Sequence, residues 1–387
     1  MLSPFSTPIR LMHASFLYTG LGVMLLASLL HVFSAHWGLN DAQSGVLLGA
    51  QFAGLFVGAY LMSANLHATL QRGLGIAAAG SLLLTLAYVR VYVPALFAYH
   101  LATAAFFVFG TGLGLITTVA NVIVGLSTSV TQLRSTRLSL LNVSWSVGAF
   151  LSPILAGLFV GRGHAGWLLP LFPAAALLLL AYTRMRMRPL LHQPSGDAGT
   201  FGSHLLPLLY FAAVFFLYGG VEITISGWLG TYGERYASLD VAAAAYAGSA
   251  LWLAFAVGRL LAAGGVRIAS ERTLRLTGVL MAAGAGVLLQ NSHGPRMVEL
   301  CAALIGIGLG PFFPLTFSRM MALRPTPRQA GAASSVTGLG QALIPYLVGL
   351  LSMQAASLRL AMWVPVGLAL LLSAATLLND RRLHARF

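Results

Sequence analysis

Glu222 is a carboxylate set inside a long apolar run, FFLYGGVEITISGWLGTY from Phe215 to Tyr232. The other acids, Asp41, Asp197, Glu234, Asp240, Glu271, Glu299 and Asp380, fall in polar breaks or at the ends of apolar segments. A charged side chain in hydrocarbon costs roughly 2.5–3.5 kcal/mol even on lenient insertion scales, so it faces a protein interior or a water-filled path rather than lipid. Such a group can hold a proton, a sodium ion or a solute hydroxyl. It can also serve as a hydrogen bond between helices, a role that a glutamine would fill with less desolvation.

Other polar residues recur at helical spacing around this acid. Tyr218, Glu222 and Ser226 stand four residues apart and share one helix face. Asn121 with Thr117 makes a second such face, and Asn142 with Trp145 and Ser146 a third. Gln51 and Gln341 lie deep in other apolar runs. Hydroxyl-rich solutes need paired donors and acceptors, which amides supply, and a flat apolar ring, which Trp supplies. Gln51, Asn121, Asn142, Trp145, Glu222, Trp252 and Gln341 therefore form the candidate binding set for a neutral polyhydroxylated solute, with Glu222 the candidate coupling residue. Interhelical bonding is the competing role for Gln51 and Gln341. For Trp228 and Trp252 it is a place in the interfacial aromatic belt, as it is for His31, His36 and His100 near the outer surface.

The elements that position these side chains are apolar helices. The chain has 387 residues, 58% hydrophobic and 8% charged, with a mean hydropathy of +0.85. A soluble domain carries about 25% charged residues. Runs of about 20 apolar residues are long enough to cross a bilayer as helices. Twelve such spans are expected, near 11–35, 42–63, 73–89, 96–126, 138–160, 166–183, 205–230, 242–263, 274–290, 297–320, 331–353 and 358–378. The first is too long for a cleaved signal peptide and is expected to remain as an anchor.

The net charge of +14 reports topology rather than a nucleic-acid partner. All 22 basic residues are arginine. Only Arg90, Arg162, Arg235, Arg296 and Arg359 fall on outer segments; the rest, Arg259 included, are assigned to cytoplasmic ones. That bias places both termini in the cytoplasm and predicts a multi-pass protein of the cell inner (plasma) membrane. Cys301 is the single cysteine, so no intrachain disulfide can form, and it reads as a small buried apolar residue.

The chain also repeats itself. FLYTG at Phe16–Gly20 returns as FLYGG at Phe216–Gly220, and Gly58 returns as Gly258. GTGLG at Gly110–Gly114 returns as GIGLG at Gly306–Gly310. Gly148, Pro153 and Gly157 return as Gly340, Pro345 and Gly349. Four matches in one order imply two halves of six spans each. An even number of spans puts both halves in the same orientation, a parallel repeat. The expected division is an N-terminal bundle over 1–183, a cytoplasmic linker over 184–204 and a C-terminal bundle over 205–387. GTGLG is not a dinucleotide fingerprint, because no strand precedes it; small residues there let helices approach closely.

Three segments resemble the major facilitator superfamily, and within it the fucose–proton symporter and sodium-dependent glucose transporter-like branch. They are LYGGVEITISGWLGTY in span seven, GLGLITTVANVIVGLS in span four and GLGQALIPYLVGLLS in span eleven. The residues that carry the likeness are Gly220, Glu222, Gly227, Trp228, Tyr232 and Asn121. The resemblance implies an all-helical membrane fold and secondary transport by alternating access. The chain departs from the branch at three places. Span one has no acid, the span-four glutamate falls at Thr117, and the loop LMSANLHATLQRG lacks the usual acidic residue.

The expected function is thus a secondary active transporter of a small neutral solute, a sugar foremost, with proton or sodium coupling left open and no other cofactor. The expected partners are that solute and the lipid bilayer, with the chain acting as a monomer. An exporter of amphipathic drugs or metabolites and an uncoupled sugar uniporter stay open beside it. A cationic solute would use Glu222 as counter-ion, whereas an anionic one is disfavoured because no arginine is assigned to mid-membrane. An intramembrane enzyme has no support in the motifs: HExxH, paired intramembrane carboxylates and a His cluster are all missing.

Overall fold

The computed structural model describes residues 7–89, 95–187, 205–239 and 241–383. The linker expected over 184–204 lies outside the described residues from position 188 onward. Among the described residues every regular element is helical. The first half comprises α1 (Thr7–Trp37), α2 (Asp41–Tyr60), α3 (Leu66–Val89), α4 (Ala95–Leu126), α5 (Thr131–Val160), the single turn α6 (Ala165–Leu168) and α7 (Leu171–Arg186). The second comprises α8 (Leu205–Ala237), α9 (Val241–Gly265), α10 (Glu271–Gln290), α11 (Pro295–Leu309), α12 (Phe312–Ala322), α13 (Pro327–Gln354), the single turn α14 (Leu358–Ala361) and α15 (Trp363–Leu383).

By length and composition, 11 of the helical segments are fit to cross a membrane, α11 and α12 counting together as one. The twelfth expected crossing is α2. At 20 residues and 1.5 Å per residue it spans about 30 Å, the thickness of a hydrocarbon core. The expected span near 297–320 is interrupted between α11 and α12, where Pro311 has no N–H for the ladder. Polar side chains close several helix starts. Asn40 and Gln43 form a capping box on α2, and Thr326 and Gln329 form one on α13, where Pro327 occupies the first turn.

The repeated glycines are contact points, and the contacts themselves repeat. A Cβ on Gly110 would lie 2.2 Å from the Gln51 carbonyl oxygen, and one on Gly306 2.7 Å from that of Leu251. The pairs Gly114 with Leu55 and Gly310 with Phe255 repeat the contact one turn on, and Gly58 with Thr111 matches Gly258 with Ile307. Gly148 meets Leu17 of α1 as Gly340 meets Phe216 of α8. Accordingly α1 packs on α5 as α8 does on α13, and α2 and α3 pack on α4 as α9 and α10 do on α11. Equivalent helices thus meet equivalent neighbours at the same height and in the same direction. That is a parallel repeat of two six-helix units.

Among the described residues, twelve alternating crossings bring Thr7 and Leu383 to the same end, which also carries Arg134, Arg267, Arg272 and Arg328. The two halves join from mid-helix down to this arginine-rich end. There α5 packs along α9, and α2 along α13. Gln132 Nε2 donates to the Val266 carbonyl (2.7 Å) and Thr136 Oγ1 to that of Ala263 (3.1 Å). Arg134 donates to the Ser318 carbonyl at 3.3 Å, while the Ser135 and Ser318 hydroxyls both donate to Glu271 Oε1. Glu271 is the first residue of α10, just after the connection that, in the second half, corresponds to the acid-free loop between α2 and α3.

Candidate functional site

A cavity of about 100 Å³ lies between the two halves. Its polar lining includes Asn121, Asn142, Glu222, Arg259, Ser334, Thr337 and Gln341. Trp145, Tyr218, Phe16, Phe313 and Phe317 supply aromatic walls.

Glu222 is buried and meets three donors. The Tyr218 hydroxyl, one turn earlier on α8, donates to Oε1 at 2.7 Å. Arg259 Nη2 on α9 donates to the same oxygen at 3.2 Å, closing an ion pair whose two side chains are 3% and 5% exposed. Gln341 Nε2 on α13 donates to Oε2 at 3.4 Å. An isolated carboxylate could not be held here; one with a guanidinium and two neutral donors can. Stacking of Tyr218 on Phe312, with ring centroids 5.7 Å apart, fixes where its hydroxyl points.

Arg259 also crosses to the other half. Its Nη1 donates to the Asn142 carbonyl at 3.1 Å and to the Ser146 hydroxyl, both on α5. Its guanidinium carbon lies 5.6 Å from the Trp145 ring centre and 5.4 Å from that of Phe255, within cation–π range. The chain of bonds continues into the first half: Asn142 Nδ2 donates to Asn121 Oδ1 at 3.3 Å, and Asn121 Nδ2 to the Thr117 carbonyl at 3.1 Å. The Thr117 and Thr337 hydroxyls, from opposite halves, are buried without a hydrogen-bond partner.

Five of the seven candidate residues, Asn121, Asn142, Trp145, Glu222 and Gln341, line this one cavity. Gln51 and Trp252 are not among the lining residues. Gln51 turns its amide to α1 and donates to the Gly22 and Val23 carbonyls, each at 3.2 Å. It joins two helices of the first half. Trp252 stands behind the wall, edge-on to Trp145 at 4.9 Å and stacked on Phe255. Nor does it join the interfacial belt, being 2% exposed.

The assignment of Arg259 to a cytoplasmic segment is corrected. It is 2% exposed and lines the cavity. Proximity to the end of α9 was misleading because the arginine stem is long enough to carry the guanidinium inward. One signal in the sequence could have placed it: Arg259 follows Trp252 by seven residues, two helical turns, and so shares its inward face. A buried arginine is present, and Glu222 already has its counter-ion.

Two parallel six-helix units with a cavity between them, apolar-walled and holding one buried ion pair, form the architecture of a membrane carrier. The family model of the Major Facilitator Superfamily matches residues 12–337, and the chain belongs to that family of transporters. Among curated proteins, "Bypass of stop codon protein 6" of Saccharomyces cerevisiae is 22% identical over 291 residues, 63% of this chain. The alignment spans 57% of that yeast protein's length. Among solved structures, the transporter FucP in its outward conformation superposes with a TM-score of 0.77 at 18% identity, covering 96% of this chain and 98% of that one. The human organic anion transporter MFSD10 gives 0.72 at 17% identity, covering 95% and 98%. The proton:xylose symporter XylE gives 0.73 at 15% identity, covering 95% and 94%. At these identities the likeness establishes the fold.

Proposed function

We propose that this protein is a secondary active transporter of a small neutral solute, a sugar foremost, working by alternating access and coupled to protons through Glu222. The observation that carries the reading is the self-compensated cavity. Glu222 and Arg259 neutralise each other at 3.2 Å, so the site offers no net charge to a solute. What it offers is the amides of Asn121, Asn142 and Gln341, the hydroxyls of Thr117 and Thr337 and the indole face of Trp145. That is the mixture a sugar ring needs. Two structural neighbours are described as sugar carriers, FucP as a fucose:proton symporter and XylE as a proton:xylose symporter. Their names support the substrate class at the level of analogy only.

A proton fits Glu222 better than sodium does, because the guanidinium already fills the cation position beside Oε1. The excess of arginine at the end bearing both termini supports a cytoplasmic placement of that end. Export of amphipathic compounds is the second reading, favoured by Phe16, Phe313 and Phe317 along the apolar side of the cavity.

Uptake of labelled neutral sugars into proteoliposomes under imposed proton or sodium gradients tests this. A proton gradient should drive accumulation in the wild type. Glu222→Gln should abolish accumulation yet leave sugar exchange, since glutamine keeps shape and hydrogen bonding but cannot cycle a proton. A wild type indifferent to both gradients would make the protein a uniporter. Export of amphipathic dyes with no sugar movement would favour the second reading.

A further inference from the structure

We infer that Arg259 is the residue through which protonation of Glu222 acts on the contact between the two halves. The inference rests on the proposed coupling role of Glu222. The geometry sets one guanidinium astride the interface: Nη2 on Glu222 of its own half, Nη1 on the Asn142 carbonyl and Ser146 hydroxyl of the other. It sits within the closed α5–α9 contact, with Trp145 and Phe255 against its faces.

In this closed arrangement the carboxylate is the counter-charge of Arg259. Tyr218 on α8, Gln341 on α13, and Asn142 and Ser146 on α5 are neutral. When Glu222 takes a proton, the guanidinium stays charged, because arginine does not deprotonate in proteins. A buried charge without its partner is strongly unfavourable. The closed contact buries that charge, whereas parting α5 from α9 lets water reach it. Protonation of Glu222 therefore favours opening at the arginine-rich end. Deprotonation favours the closure seen here.

Among the described residues, Glu271 and His13 also hydrogen-bond to side chains of α5. Glu271 on α10 accepts from Ser135 at the arginine-rich end of the same interface. His13 on α1 bonds Ser144 at 2.8 Å.

Pulsed spin-label distances across the closed end give the test. Leu133→Cys at the start of α5 and Ile268→Cys after α9 are exposed label sites, introduced in a Cys301→Ser background. At a pH where the wild type is closed, Glu222→Gln should raise the ratio of open to closed molecules by about tenfold or more, equivalent to about 1.4 kcal/mol. Glu222→Gln/Arg259→Gln removes both charges and should return the ratio to within about twofold of the wild type, a non-additive cycle. The wild type should open on acidification, and Glu271→Gln should keep that response. An unshifted ratio in folded Glu222→Gln overturns the inference, and so does a double variant as open as the single one. Where Glu222→Gln does not yield monodisperse protein, acid titration of the wild type decides alone, and a flat response overturns the inference. The uptake assay separates the two proposals. Lost accumulation with unmoved distances removes only the role of Arg259, whereas retained accumulation removes Glu222 from coupling.

Discussion

Gln51 and Gln341 are the same residue type in equally apolar surroundings, and the fold gives them opposite work. Gln341 turns into the cavity beside Glu222, and Gln51 turns to the backbone of α1. Their alanine variants should part accordingly. Gln341→Ala removes a neutral donor from the site, worth about 0.5–1.5 kcal/mol, so solute affinity should fall roughly two- to twelvefold. Isothermal titration of the purified protein measures it. Gln51→Ala should leave affinity unchanged and lower the thermal midpoint, because it unties α2 from α1. A loss of affinity in Gln51→Ala with no change in stability would place that amide in the site after all. In the sequence Glu222 was conspicuous because one acid in hydrocarbon demands a partner. The identity of that partner was not legible. Arg259 is 37 positions away, and no local pattern links the two.

At the scale of the element, the glycine repeat was readable as a repeat, and packing shows what it is for. Gly148 and Gly157 belong to one motif in α5, yet only Gly148 faces a neighbour. A Cβ there would stand 2.2 Å from the Leu17 carbonyl, whereas at Gly157 nothing lies within 4 Å. Gly148→Ala should force α5 from α1 and destabilise the protein by about 1–3 kcal/mol, the usual range for overpacking. Gly157→Ala should be neutral or slightly stabilising, since alanine is the better helix former. Thermal unfolding in detergent, followed by the fluorescence of the monodisperse peak, compares the two. Equal losses in both variants would mean that the motif acts through helix propensity and not through close approach. Helix ends were less legible than helix existence. The interruption at Pro311 falls inside a run that hydropathy reads as continuous, because hydropathy counts side chains and a proline break is a property of the backbone.

At the scale of the molecule, the charge asymmetry predicts a sidedness. Ile268 lies at the arginine-rich end and Trp167 at the opposite one, and both side chains are exposed, at 92% and 71%. In right-side-out vesicles bearing single cysteines, a membrane-impermeant maleimide should label Trp167→Cys and spare Ile268→Cys until the membrane is opened. The reverse pattern would invert the proposed topology and, with it, the side from which the cavity is closed.

Hydropathy, charge bias and internal repetition are carried by residue type and spacing alone. The sequence by itself therefore determined the membrane helices, their number, the parallel halves and the acid at the centre. Which side of a helix faces the cavity depends on how that helix is rotated, and rotation is settled by packing against neighbours far away in the chain. Only the tertiary structure could turn Gln51 inward to α1 and put Trp252 behind Trp145. Only there does Arg259 leave the charged end of its helix for Glu222, because a buried ion pair exists only once both of its helices are in place.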